Sequence, residues 1–223
     1  MRYLTGTSFD STPSVDGSGR GFPPGLIAVW DESEGYVAAT ELCYRVALAA
    51  VMAGVDVMWA DVRGHLVDVL GDLDGPLVKP FQLSPGQVIV SRLNEHWTAD
   101  RLRRICTCSG SDPMVYIVDS LPAATHFVDY PQELRAVLAD ITTEAMASGS
   151  LVVVCTYAVS GNRSSQQIGV GAGALNLMAH TAFAVTHQKQ PDGWKFGINM
   201  PKSRTMFPDA QWRWDDAKLT VGA

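Results

Sequence analysis

Short apolar runs alternate with helix-like segments through most of this sequence, and this alternation is the strongest constraint on its fold. The strand-like runs are residues 26–30, 56–60, 88–93, 114–120, 151–156, 182–186 and 194–199. The helix-like segments are residues 40–54, 99–109 and 131–148, and residues 174–180 form a short helix or a turn. Strands that alternate with helices at this spacing pair in parallel and are buried on both faces. The sequence therefore predicts an α/β fold with a mainly parallel sheet flanked by helices.

Turn-forming residues divide the chain into three parts. Residues 1–24 are rich in Ser, Thr and Gly and predict a flexible N-terminal arm, whereas residues 25–210 form the predicted core domain. Within the core, the Asp-Gly pair in residues 188–193 predicts a C-terminal β-hairpin. Residues 211–223 carry two tryptophans and form either a last edge strand or a contact surface for a neighbouring protein.

The composition excludes several classes of protein. The chain has 223 residues, 47% of them hydrophobic, and a net charge of -6, which argues against extended disorder and against a wholly basic nucleic-acid coat. The longest apolar stretch, residues 46–60, is interrupted by Gly54 and Asp56 and is too short to cross a bilayer. Residues 1–21 contain no apolar signal segment, so we expect a cytoplasmic protein with reduced cysteines and no membrane association.

The segment after the first strand has part of a phosphate-binding loop. Such a loop uses glycines to direct backbone N–H groups at phosphates, a lysine to neutralise their charge and a Ser/Thr hydroxyl to hold magnesium. Here Ser33 and Gly35 are present, but Tyr36 and Val37 stand where the lysine and the hydroxyl are expected. The loop is therefore degenerate, and two acidic residues within residues 32–34 would repel a polyphosphate.

Acidic residues follow two of the later strands. Asp119 ends the apolar run 115–118 and is followed by Ser120, while Asp61 follows the run 56–60. Ligands collect at the carboxyl ends of parallel strands, so both acids are candidate site residues. Plain alternatives remain open, because Asp119 could simply end a buried strand and Asp61 could cap the following turn.

Two further segments carry candidate contacts. The strand at 151–156 is followed by Tyr157 and by a Gly/Ser-rich loop at residues 160–173, and a later strand is followed by a Pro-Lys-Ser-Arg run at residues 201–204. Basic and amide side chains on such a loop can contact nucleic-acid phosphates or bases, although many loops of this composition are only surface.

In order and spacing, these segments resemble the RecA-like branch of the P-loop ATPases, which includes recombinases, KaiC-like proteins and hexameric motors. The resemblance covers residues 25–207 and implies a three-layer core that ends in a β-hairpin. It also implies ATP and Mg²⁺ as cofactors and an oligomer, homomeric or heteromeric, of RecA-like subunits.

The resemblance assigns roles to the candidate residues. The implied catalytic residues are Asp119, which also binds the metal, Asp61, Lys202 and Arg204. The implied nucleotide-binding residues are Ser33, Gly35, Tyr36, Ser120 and Tyr157, and the implied nucleic-acid contacts are Arg163, Gln166 and Gln167. In the family, a Lys-x-Arg run after a late strand reaches the nucleotide site of a neighbouring subunit and stabilises charge on the transferred phosphoryl group.

Three functional hypotheses follow. The first is a non-catalytic or weakly catalytic RecA-like subunit of an oligomeric nucleic-acid machine, in DNA repair, recombination or a phage-type system, that supplies its Lys/Arg run to a neighbouring ATPase. The second is an active ATP-dependent motor or recombinase with an atypical phosphate loop. The third is a protein-interaction module that caps a filament. Fold alone does not choose among them.

Overall fold

The computed structural model describes residues 3, 21–31, 38–62, 66, 78–92, 99–107, 112–121, 131–157, 178–179, 181–190, 193–203 and 212–214. Its strands are β1 Gly25–Asp31, β2 Val57–Asp61, β3 Val88–Arg92, β4 Val115–Asp119, β5 Leu151–Tyr157, β6 Thr181–Gln190, β7 Gly193–Ser203 and β8 Trp212–Trp214. Its helices, renumbered in chain order, are α1 Ala38–Met52, α2 Lys79–Gln82, α3 Ala99–Cys106 and α4 Pro131–Ser148.

The strands form one sheet in the order β3-β2-β4-β5-β1-β6-β7-β8. The pairs from β3 to β6 are all parallel, whereas β6 pairs with β7 and β7 pairs with β8 in antiparallel fashion. This arrangement confirms the predicted α/β fold, with a mainly parallel sheet and a C-terminal β-hairpin. The last strand, β8, lies at one edge of the sheet.

Helices cover both faces of the parallel part of the sheet. Alternate residues of β1 point to opposite sides, so Ile27 and Val29 join the core under α1, while Leu26 and Ala28 join the core under α3 and α4. Strands buried on both faces require apolar residues at nearly every interior position, and all five residues of β4 are buried. The three layers leave polar side chains room mainly at the strand ends.

The helices are built from segments with consistent local signals. α4 begins at Pro131, where a missing backbone N–H costs nothing, and a glycine with φ of 74° follows it at Gly149. α1 is rich in alanine and apolar residues, and ten of its fifteen residues are buried. Within the described residues, no helix is both long enough and apolar enough to cross a membrane.

The N-terminal part of the chain contacts the core at two described points. Tyr3 and Phe22 are both buried and exchange two backbone hydrogen bonds, with N···O distances of 2.7 and 2.6 Å. The Tyr3 hydroxyl also donates to the Gly149 carbonyl oxygen, 2.6 Å away, just after α4. Tyr3 therefore connects the start of the chain to the amino edge of the sheet. The remaining residues of the predicted arm, 1–2 and 4–20, lie outside the described residues.

The buried hydroxyl of Tyr3 predicts a loss of stability at high pH. Burial, with a smaller contribution from Tyr116, raises the pKa of Tyr3 from 10.0 to about 12. Between these values the unfolded chain has lost the Tyr3 proton while the folded chain keeps it, so stability falls as pH rises from 10 towards 12. Chemical denaturation at a series of pH values should show that the free energy of unfolding falls less steeply for Tyr3→Phe than for the wild type. The variant is less stable at the start because it lacks the hydrogen bond to Gly149. Equal slopes would contradict this assignment.

Candidate functional site

Three buried aspartates lie at the carboxyl edge of the parallel sheet. Asp31 ends β1, Asp61 ends β2 and Asp119 ends β4. Asp61 and Asp119 are directly opposed in the register of the β2–β4 pair, and the Val62 N–H donates to the Asp119 carbonyl oxygen at 2.7 Å. All three aspartates continue the alternation of the α1-side core. They therefore share one face of the sheet, beneath the beginning of α1.

Asp31 is bonded to the N-terminus of α1. Its Oδ2 accepts a hydrogen bond from the backbone N–H of Ala39 at a distance of 2.8 Å, and α1 begins at Ala38. The first N–H groups of a helix lack intrahelical partners and carry partial positive charge, so a carboxylate there is stabilised. These are also the groups that a phosphate would use in a phosphate loop. The chain's own carboxylate thus occupies part of an anion-binding position.

Thr40 brings a hydroxyl to Asp119. Its Oγ1 donates to the Asp119 Oδ2 at 2.6 Å, and both residues are buried. Sequence reasoning missed Thr40 because it looked for this hydroxyl at position 37, two residues after Gly35. A usable signal was present, since Thr40 is the first hydroxyl residue of α1 and stands on its first turn, where such a residue faces the sheet edge.

Ser120 adds a second hydroxyl beside Asp119. The Asp119–Ser120 peptide bond is cis, and the Ser120 side chain is buried. Within the described part of the chain, the Ser120 hydroxyl lacks a hydrogen-bond partner. Leu121 then donates its N–H to the Cys155 carbonyl oxygen at 2.7 Å, which ties this turn to β5. A buried hydroxyl without a partner is uncommon and is available to a ligand or a water molecule.

A pair of thiols lies directly beneath this site. The Cys43 Sγ on α1 and the Cys155 Sγ on β5 are 3.2 Å apart, and both residues are buried. Burial raises the pKa of Cys43 and outweighs the hydrogen bond with Cys155, which lowers it, while the carboxylates of Asp119 and Asp31 raise it further. The hydrogen bond with Cys43 and burial raise the pKa of Cys155 well above its ordinary value. Both groups are therefore neutral thiols near pH 7.

The structure brings together some of the residues predicted from the sequence. Asp61, Asp119 and Ser120 lie at one edge, and the backbone of Tyr157 pairs with that of Asp31. Lys202 lies on β7 opposite Ala182, which is level with Ala28 of β1. The remaining predicted site residues fall outside the described residues: Ser33, Gly35, Tyr36, Arg163, Gln166, Gln167 and Arg204.

The position of Lys202 separates its backbone from the aspartates of the same subunit. It stands three residues short of Asp31 along the strand direction and two strands away across the sheet. With about 3.3 Å per residue and about 4.8 Å per strand, the backbone is displaced by roughly 10 Å in each direction. The sequence could not predict this displacement of Lys202, because the order of the strands in the sheet sets it.

The oxygen donors of the site fit Mg²⁺ better than they fit a bare phosphate. Mg²⁺ is commonly bound through one or two carboxylates, with water and substrate oxygens completing its shell. Asp119 and the Thr40 hydroxyl oxygen supply such donors, but no group of three His, Cys, Asp or Glu side chains among the described residues could hold a metal ion. When bound, Mg²⁺ would neutralise phosphate charge, and Asp119 would be its protein ligand.

The architecture is a RecA-like α/β fold, as two solved structures show. The crystal structure of the RadB recombinase superimposes with a TM-score of 0.60 at 15% identity, covering 87% of this chain and 88% of that one. The KaiC-like protein PH0186 from Pyrococcus horikoshii OT3 superimposes with a TM-score of 0.59 at 14% identity, covering 96% and 93%. No protein-family model and no curated protein sequence matches this chain, so the similarity lies in the fold.

The contact between Thr40 and Asp119 predicts a measurable stability loss in Thr40→Val. The change keeps the side-chain shape but removes a donor from a buried carboxylate, which should lower the free energy of unfolding by about 1.5–3 kcal/mol. Thr143→Val is the matched control, since the exposed Thr143 hydroxyl bonds the Ala139 carbonyl oxygen of its own helix. Urea denaturation of both variants tests this, and an equal effect at the two sites would refute it.

Proposed function

We propose that this chain is a non-catalytic or weakly catalytic RecA-like subunit of an oligomeric nucleic-acid machine. The observation that carries the proposal is the hydrogen bond from the Ala39 N–H to the Asp31 carboxylate. In a working phosphate loop, the start of this helix is left open for the anion. In this chain, the carboxylate of Asp31 occupies the start of α1.

Charge at the sheet edge supports the same proposal. A nucleotide triphosphate placed at α1 would meet Asp31 directly, while Asp119 lies two strands away on β4 and Asp61 one strand further on β2. Like charges in a partly buried site repel strongly, and no lysine follows Gly35 to offset them. Unaided binding of ATP at this position should therefore be weak.

The proposed contribution to a neighbour comes from Lys202 and Arg204. The backbone of Lys202 is displaced from the aspartates of its own subunit, which favours action on another subunit over action in cis. Two cations delivered to a competent ATPase would stabilise the charge that develops on the transferred phosphoryl group. In the purified assembly, Lys202→Ala should lower the partner's ATPase rate without changing the composition of the assembly.

A second function is favoured by one specific observation, the contact between Thr40 and Asp119. This pair supplies the hydroxyl and carboxylate oxygens that hold magnesium in active ATPases. If Mg²⁺ binds there first, it offsets the negative charge and admits a nucleotide. The chain would then be an ATPase with an atypical phosphate loop.

Calorimetry with ATP and Mg²⁺ distinguishes the two functions. We expect the wild-type protein to bind ATP with a dissociation constant weaker than about 1 mM. Asp31→Ala should bind about tenfold more tightly because the helix N-terminus is open and one carboxylate is gone. Asp112→Ala is the control, since Asp112 is exposed and precedes the opposite end of β4.

Tight binding of ATP by the wild-type protein would support the second function. Submillimolar binding by the wild-type protein, lost in Asp119→Ala, would replace the first function with the second. Light scattering on the same samples reports the mass in solution, and a monomer at every concentration would contradict assembly into a homo-oligomer.

The proposed nucleic-acid contact is the loop at residues 160–173. With a net charge of -6, the chain should bind single-stranded DNA weakly and with strong dependence on salt. In fluorescence anisotropy with a labelled oligo-dT, Arg163→Ala should reduce the slope of log affinity against log salt by about 1. Arg104→Ala, on the exposed side of α3, is the control and should leave the slope unchanged. Equal slopes for wild type and Arg163→Ala would exclude Arg163 as a phosphate contact.

A further inference from the structure

The two buried thiols beneath the site are close enough to suggest a bond between them. Cys43 belongs to α1 and Cys155 to β5, and 3.2 Å separates their sulfur atoms. Both are free thiols in the described structure. A disulfide has an S–S length of about 2.05 Å, so the sulfurs need to approach by only about 1.2 Å.

The thiol pair is placed where a bond would act on the site. Cys43 follows Thr40 by three residues and therefore lies about one turn further along α1. Cys155 lies two residues before Tyr157, whose backbone pairs with Asp31. A covalent link between the two sulfurs would thus join α1 to the sheet directly below the contacts made by Asp31 and Thr40.

We propose that a hydroperoxide converts Cys43 and Cys155 into a disulfide, which fixes α1 to β5 and holds the phosphate-loop end of α1 against the sheet. The bond is a redox lock on the site. Formation of the bond stands on the thiol geometry alone, whereas control of nucleotide access rests on the proposed function.

The chemistry balances with one hydroperoxide. The thiolate attacks one oxygen of the peroxide and the O–O bond breaks. The sulfur is oxidised to a sulfenic acid, and the peroxide is reduced with release of an alcohol or of water. The second thiol then attacks the sulfenic sulfur, the S–S bond forms and a second oxygen leaves as water. Two protons and two electrons pass from the thiols to the peroxide. A small peroxide such as H₂O₂ is the size of oxidant that a buried pair can admit.

The surroundings of the pair make this reaction slow. Burial and the neighbouring aspartates disfavour the thiolate that starts the reaction, so brief exposure to oxidant leaves the pair reduced. Cys106 is also buried but belongs to the core on the other face of the sheet. It therefore serves as an internal reference that cannot reach either sulfur of the pair.

The first test is chemical. The folded protein is incubated with H₂O₂ for a prolonged period, because the reaction is slow. Free thiols are then alkylated under denaturing conditions, and peptides are identified by mass spectrometry. We expect loss of two hydrogen atoms and a Cys43–Cys155 crosslinked peptide in the wild type and in Cys106→Ala, with no crosslink in Cys43→Ala. Alkylation of both thiols, or added oxygen without a crosslink, would overturn the proposal.

The second test asks whether the bond locks α1. A disulfide that closes so long a loop should raise the melting temperature by on the order of 5–15 °C, and dithiothreitol should reverse the rise. Hydrogen exchange should slow at the amides of the first turns of α1, and only in the oxidised protein. Unchanged exchange in a protein shown to be crosslinked would overturn the lock.

The outcomes separate the lock from the proposed function. If Asp31→Ala binds ATP when reduced, oxidation should weaken that binding, and equal affinity in the two redox states would refute control of the site. If no variant binds ATP in either state, the account of the phosphate site fails, while the crosslink and the exchange data still decide the lock.

Discussion

Burial of the parallel sheet on both faces is the constraint on which the rest of the structure depends. Every interior strand position must be apolar, because a polar group there has no water and few partners. Charge is therefore restricted to the ends of strands, where chain direction changes and helix N-termini approach. The buried aspartates Asp31, Asp61 and Asp119 all obey this restriction. A functional edge follows from the packing before any specific chemistry is considered.

The character of this edge is set by what faces the start of α1. In a phosphate-binding protein, the helix N-terminus is kept open for an anion. Here Asp31 accepts the N–H of Ala39, and Thr40 donates to Asp119. Under the functions proposed above, the two contacts have opposite effects, since the first would compete with a phosphate and the second would offer oxygen donors to magnesium. The two proposed functions differ in which of these contacts dominates.

The fold itself does not decide between these functions. The RadB recombinase and the KaiC-like protein PH0186 share the architecture at 15% and 14% identity. At such identities the common property is the arrangement of strands and helices, while the side chains at the sheet edge are free to differ. The thiol pair of Cys43 and Cys155 is one such local property, placed where α1 crosses β5. Function in this superfold depends on such edge residues.

The sequence by itself determined the strands and helices and the positions at strand ends where charged residues could lie. Alternation of apolar runs and helical segments predicted the fold class, and the acids that end such runs marked Asp61 and Asp119. Only the tertiary structure decided which ends meet. Thr40 and Asp119 are 79 residues apart and the two thiols 112 apart, so no local pattern connects them. The strand order β3-β2-β4-β5-β1 and the position of α1 above it create these contacts, because periodicity encodes the face of an element but not its neighbour.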